Sequence, residues 1–208
     1  MVLFFRKTIL IIACLIFTSC LEDEGVAPSF TSKTGFSTPD GCPSEKIIFV
    51  SATTSQGNLG GVSGADTICD ADANRPSCGG TYKAMLSDYL NRQACSTINC
   101  GGGAGEHIDW VLTASTTYIR PDGTTIGTTN TLGIFTTIDA AADPTNNSFV
   151  FTGMTGQWVE ATHHCSRFTN STAGVFSIVG SPRSTNLGIL QASNSACSSF
   201  FHLYCVEQ

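Results

Sequence analysis

The chain has 208 residues, with 10 Lys and Arg against 16 Asp and Glu and a formal net charge of −6. Arg6 and Lys7 fall in the first 19 residues, so the remainder stands near −8. That balance argues against nucleic acid, heparin-like polyanions or an anionic membrane face as main partners. About 190 residues after that segment suffice for one domain with its own core.

The first residues, MVLFFRK, carry a positive pair and lead into Thr8–Ser19 (TILIIACLIFTS), an uncharged and mostly apolar run. The run has the length of a signal-peptide core and is short of the roughly 20 apolar residues that a spanning helix needs. It ends in Phe17-Thr18-Ser19-Cys20, which resembles the lipobox of bacterial lipoproteins, although Phe17 stands where Leu is common. Cleavage before Cys14 would leave only Thr8–Ala13 as the apolar run, which is too short. The reading is therefore a signal peptide over residues 1–19 and a lipidated Cys20. Each buried methylene contributes about 0.8 kcal/mol, and two or more acyl chains hold a protein on a bilayer. The partner implied at this end is the lipid bilayer, and the location implied is export with an anchor in the cell envelope, at the outer membrane or cell surface.

Residues 20–41 are acidic, then rich in Ser, Thr, Pro and Gly without apolar periodicity, and read as a flexible tether. The domain is expected over 42–208. Lys46–Ala52 (KIIFVSA) is a strand by its β-branched and aromatic content. GNLGG at Gly57–Gly61 is a tight turn, and a helix follows. Ser63 with Asp66 makes a capping-box-like start; Val62, Ala65, Cys69 and Ala73 share one face, and Pro76 ends it. The acidic face at Asp66, Asp70 and Asp72 reads as solvated. Tyr82–Asp88 fits either helix or strand by its own pattern.

Short β segments and loops follow. Asp109–Thr113 carries Trp110, and Pro121-Asp122-Gly123 is a turn between Thr117–Arg120 and Thr124–Gly127. Ser148–Thr152, Val175–Val179 and His202–Glu207 are further strand candidates. Gly101–Gly105 (GGGAG) reads as a flexible loop and lacks the Lys and Ser/Thr of a phosphate-binding loop. Eight cysteines lie beyond Cys20, with no CxxC pair. In an exported chain, such an even set reads as disulfides rather than as a metal site.

The string GNLGGVSGADTICDADA, then GTYKAMLSD, resembles the opening of the endostatin-like branch of the C-type-lectin-like fold. Val150-Phe-Thr-Gly-Met, HHCSRFT around Cys165, and the close ACSSFFHLYCVE resemble its later strands and cysteines. Glu106-His-Ile-Asp-Trp-Val-Leu and Leu203-Tyr-Cys-Val-Glu-Gln are similar to leptospiral lipoproteins that carry a domain of unknown function of this type. The resemblance covers residues 45–208. It implies an α+β, loop-rich, disulfide-stapled domain of short strands with one or two helices, and makes Tyr82–Asp88 a strand. It also implies the bridges Cys69–Cys205 and Cys165–Cys197. Cys42, Cys78, Cys95 and Cys100 have no counterpart in that pattern. The spacing of Cys95 and Cys100 permits a local bridge that leaves Cys42 with Cys78, one of three possible pairings.

The zinc site of some endostatins does not transfer, because no histidine precedes His107. Their heparin face does not transfer to an acidic chain with six arginines. The calcium motifs of sugar-binding C-type lectins are absent too. The nearest string, Arg120-Pro121-Asp122, puts a cation where a calcium ligand is needed. No cofactor and no metal is expected.

Two local clusters are candidates for ligand contact: Glu106, His107 and Asp109 beside Trp110, and Glu160, His163 and His164 as E-x-x-H-H. No Ser or Cys nucleophile has a base at motif spacing, so no enzyme is expected. The leading expectation is a surface binding or adhesion module for host extracellular-matrix or plasma components, protein or glycan. A structural envelope lipoprotein is the alternative, and a hydrolase comes third.

Overall fold

The computed structural model describes residues 42–208. Cys20, the signal segment and the tether lie outside them. Nine regular elements follow in chain order: β1 (Lys46–Val50), α1 (Gly61–Asp70), β2 (Tyr82–Ala84), β3 (Thr117–Ile119), β4 (Thr125–Thr128), β5 (Val150–Phe151), β6 (Phe176–Gly180), β7 (Ser193–Ala196) and β8 (Tyr204–Glu207). One left-handed helical turn, Cys165–Phe168, and three single 3-10 turns lie among them. The result is a small, disulfide-rich α+β fold with two sheets. One has five strands in the order β2-β8-β1-β3-β4, and the other has three in the order β5-β6-β7.

The larger sheet explains the unbroken apolar run of β1. Ile48 and Val50 face one core cluster with Tyr118, Ile126, Trp158, Tyr204 and Val206. Ile47 and Phe49 face a second, with α1, Tyr82, Ala84 and Cys205. A strand covered on both faces needs apolar residues at every position rather than at alternate ones. β1 and β8 run antiparallel with Phe49 opposite Cys205, and β2 lies on the other side of β8 with Ala84 opposite the same residue.

Four disulfides join Cys42–Cys78, Cys69–Cys205, Cys95–Cys100 and Cys165–Cys197. The second and fourth are the pairs that the resemblance implies, and the other two are the local bridge and its remainder. Cys69–Cys205 has a sequence separation of 136 and pins the C-terminal end of α1 to the strand beside β1. Closing so long a loop restricts the unfolded chain most, by about 5 kcal/mol in the loop-entropy model.

The helix departs from its expected frame. It starts at Gly61, behind Gly60 in the left-handed region, with no side-chain cap, and ends at Asp70 rather than at Pro76. Ala73 lies beyond it and is exposed, while Val62, Ala65 and Cys69 are buried. The Ser63/Asp66 capping box does not form, because the Asp66 carboxylate is engaged elsewhere.

The acidic face read as solvated is a set of backbone anchors. Asp66 accepts the Ala84 N–H at 2.9 Å and Asp70 accepts the Tyr82 N–H at 3.1 Å. Both N–H groups belong to edge strand β2, so α1 closes an edge that would otherwise present free donors. Asp72, 7% exposed, accepts the N–H groups of Ala52, Thr53 and Asn74. Burial works to raise its carboxyl, but those donors overcome it and hold the group below its ordinary value.

Three further differences follow from tertiary contacts. Tyr82–Asp88 is strand only to Ala84, because Ser87 and Asp88 turn back to bond Arg92. Residues 109–113 form no strand, and Trp110 is half-buried against the core with its Nε1 donating to Gly133 O at 2.9 Å. β7 (SNSA) lacks β-branched and aromatic residues, and its pairing with β6 is what makes it a strand. Among the described residues, no helix is long and apolar enough to cross a membrane.

Candidate functional site

Arg92 organises the region on which the site is built. Its side chain is 0% exposed, and its five N–H donors meet five acceptors. Nη1 reaches Asp66 Oδ1 at 2.7 Å and Ala84 O at 2.8 Å. Nη2 reaches Asp66 Oδ2 at 2.9 Å and Asp109 Oδ2, and Nε reaches Asp109 O at 3.0 Å. Burial disfavours the guanidinium charge, yet Asp66 and Asp109 outweigh it and raise its pKa further. Lys83 adds a second cation to Asp109 at 2.6 Å.

Arg92 also closes the loop before it. Asp88 Oδ1 accepts the N–H groups of Leu90, Asn91 and Arg92, and Asp88 N donates to Arg92 O at 3.0 Å. The side chain of Asp88 is buried, so the turn is held from inside. Tyr89, at the outer corner with φ of 57°, is left 45% exposed. An aromatic ring is thus presented to solvent on a loop that is fixed at both ends.

Opposite Tyr89 lies the Cys165–Phe168 turn. Its four residues have φ of 53°, 51°, 62° and 57°, a left-handed turn without glycine. Each such residue costs about 1–2 kcal/mol, so the turn requires its surroundings to hold it. The Cys165–Cys197 bridge, the fully buried Phe168 and backbone bonds from Phe168 to His164 and from Thr169 to Cys165 do so. Two glycines make the close approach possible. A Cβ on Gly57 would sit 2.3 Å from Cys165 Sγ. One on Gly153, at φ 62°, would sit 2.4 Å from Ser87 O and 3.0 Å from the Phe168 ring.

Between these walls is a cleft of about 600 Å³, lined by Gly61, Tyr89, Asn91, His164, Ser166, Arg167 and Thr169. The Arg167 guanidinium lies over the Tyr89 ring at 5.8 Å, and the His164 ring is 5.9 Å from it. Among the described residues Arg167 is the one arginine whose guanidinium meets no oxygen acceptor of the protein. Both nitrogens of His164 are engaged: Nδ1 accepts the Arg167 N–H at 2.7 Å, and Nε2 lies 3.2 Å from Glu160 Oε1. Burial holds the Glu160 carboxyl above its ordinary value, with the His164 interaction opposing and Asp88 adding.

Of the six sequence candidates, only His164 lines this cleft, with Glu160 behind it. His163 turns away toward Phe176. The Glu106, His107 and Asp109 group is pulled apart into three structural roles. Asp109 belongs to the Arg92 cluster. Glu106 accepts from the N–H groups of Ser96, Thr97 and Gly102 and from the Thr97 hydroxyl, which gathers the GGGAG loop. Led by the Thr97 hydroxyl, these donors lower its carboxyl to about 2. His107 has Ala94 O and Leu132 O against its two ring nitrogens.

Tyr89, Asn91 and Arg167 carry no sequence signal, since each is a single residue in a loop. Cys95, Cys100 and Glu106 form a cluster of three metal-ligand types, but both sulfurs are bonded to each other. A second depression, of about 360 Å³ beside Pro121 and Pro144, contains Arg120, already paired with Asp122 at 2.7 Å.

A family model matches residues 52–185. The chain belongs to DUF1554, a family described as protein of unknown function. The DUF1554 span contains every residue that lines the cleft, together with the whole Arg92 cluster. It leaves out β1, β7 and β8, so three of the bridges tie the family region to residues outside it. A search of curated proteins finds no match to the chain.

Proposed function

We propose that this DUF1554 chain is an exported lipoprotein, anchored through acylated Cys20, whose domain binds a host extracellular-matrix or plasma component at the cell surface. The observation that carries the binding reading is the cleft. An exposed aromatic ring and an arginine without an anion stand together on braced backbone, and everywhere else in the described region arginines are satisfied by oxygen. Strain held in place by a disulfide and a buried ring is a common accompaniment of functional sites. The endostatin-like, C-type-lectin-like assignment belongs to the same proposal. It is supported by the bridge from helix to last strand and by the pairing of the first strand with the last.

The site favours binding over catalysis. His164 has both nitrogens occupied and is not free to take a proton from Ser166 or a water. Protease treatment of intact cells and, separately, capture of matrix proteins, plasma proteins and glycans by the full-length protein in detergent test the proposal. Cleavage on intact cells together with specific capture is expected. Complete protection would favour a structural envelope role, and retained acylation in Cys20→Ser would overturn Cys20 as the lipidated residue.

A further inference from the structure

We propose that the Tyr89–Arg167 cleft takes an acidic saccharide, with the sugar carboxylate on Arg167 and a C–H face of the ring on Tyr89. This rests on the reading of the cleft as a binding site and names its ligand class. Arg167 offers a planar fork with all its donors unused by the protein, which matches a carboxylate bidentately. The chain is acidic overall, so an anion is drawn here by this local charge and not by the general field. The nearest carboxylates are accounted for: Glu160 is against His164, and Asp88 is filled by three backbone N–H groups and the Asn91 amide.

The remaining lining decides between kinds of anion. The Ser166 hydroxyl, the lone pairs of the Thr169 hydroxyl that donates to Ser166 O, and the carbonyl and second amide hydrogen that Asn91 keeps beside its bond to Asp88 stand at the rim, and they suit a ligand with many hydroxyls. Tyr89, with the Arg167 guanidinium over its ring, keeps 45% of its surface exposed and carries an O–H at its end, which suits C–H bonds against the ring beside the carboxylate and hydroxyls at its edge. A peptide carboxylate would instead need an apolar pocket for its last side chain, and no aliphatic residue lines this cleft. At about 600 Å³ the space falls within the usual range for small-molecule sites.

The test is titration of the full-length protein in detergent with glucuronic acid and N-acetylneuraminic acid, followed by saturation-transfer NMR and calorimetry. Glucose is the neutral control, and the tripeptide Ala-Ala-Ala with a free C-terminus is the peptide arm. Both sugar acids are expected to bind, with glucose at least tenfold weaker. Arg167→Gln is expected to lose at least tenfold, Arg167→Lys less than that, Tyr89→Ala several-fold, and Tyr89→Phe less than Tyr89→Ala. Arg167 and Tyr89 are exposed, so unchanged melting curves will show that these variants fold. Equal affinity for glucose, wild-type affinity in Arg167→Gln, tighter binding of the tripeptide, or no binding of either acid overturns the proposal. If matrix or plasma capture persists while the sugar acids fail, the ligand class is wrong and the binding module stands; loss of both removes both.

Discussion

Arg92 and Arg167 lie on opposite sides of one loop system. Arg92 is sealed from solvent and spends all five donors on Asp66, Asp109 and two backbone carbonyls. Arg167 is exposed, donates to no protein oxygen and lies on an aromatic face. A buried guanidinium has to be satisfied internally, because leaving it unpaired costs several kcal/mol. A surface guanidinium is satisfied by water at little cost, so it can be kept for a ligand. The two are also neighbours through one turn: the Arg92 backbone N–H and carbonyl close the loop that presents Tyr89, and the sealed side chain fixes that end of it.

The comparison breaks most visibly at Arg92. Arg92→Ala leaves two carboxylates facing a void and should cost about 3 kcal/mol in urea denaturation. That figure lies at the low end of the range because Asp66 and Asp109 keep 22% and 44% side-chain exposure. A loss below about 1 kcal/mol would mean that the cluster is not what holds this region.

Next comes Gly153→Ala, which places a methyl on a left-handed residue and against Ser87 O and the Phe168 ring. A loss of about 2 kcal/mol is expected in the same measurement, with weakened sugar-acid binding as the left-handed turn shifts. An unchanged midpoint would show that the turn does not depend on this close approach.

A smaller effect separates Glu106 from both arginines. Its pKa is lowered to about 2, so its contribution is complete above the ordinary carboxylate range and lost as pH falls toward 2. Glu106→Gln should lower the thermal midpoint at pH 7, and the gap to wild type should close between pH 5 and about 2. A gap that is constant with pH would assign the loss to packing instead of charge. Smallest of all is Arg167→Gln, whose stability should stay within about 0.5 kcal/mol of wild type by urea denaturation. A larger loss would make Arg167 a structural residue like Arg92.

Much of the scaffold was legible in the linear chain. KIIFV announced a strand, the Pro-Asp-Gly turn separated β3 from β4, and Val62, Ala65 and Cys69 marked the core face of α1. These signals are local, since periodicity and turn chemistry act over a few residues. Asp66 shows where that logic stops. Its spacing from Ser63 fits a cap, but its carboxylate serves a strand edge 18 residues away and an arginine 26 residues away.

The sequence by itself therefore determined the secondary-structure grammar, the acidic balance and a set of cysteines suited to an oxidising setting, because each is a property of neighbours or of composition. Only the tertiary structure decided which acids are anchors, which arginine is spent and which is free, and that Tyr89 and Arg167 share a cleft. Those are relations between residues 78 positions apart in the chain, and no local pattern encodes a distance that folding alone brings to 5.8 Å.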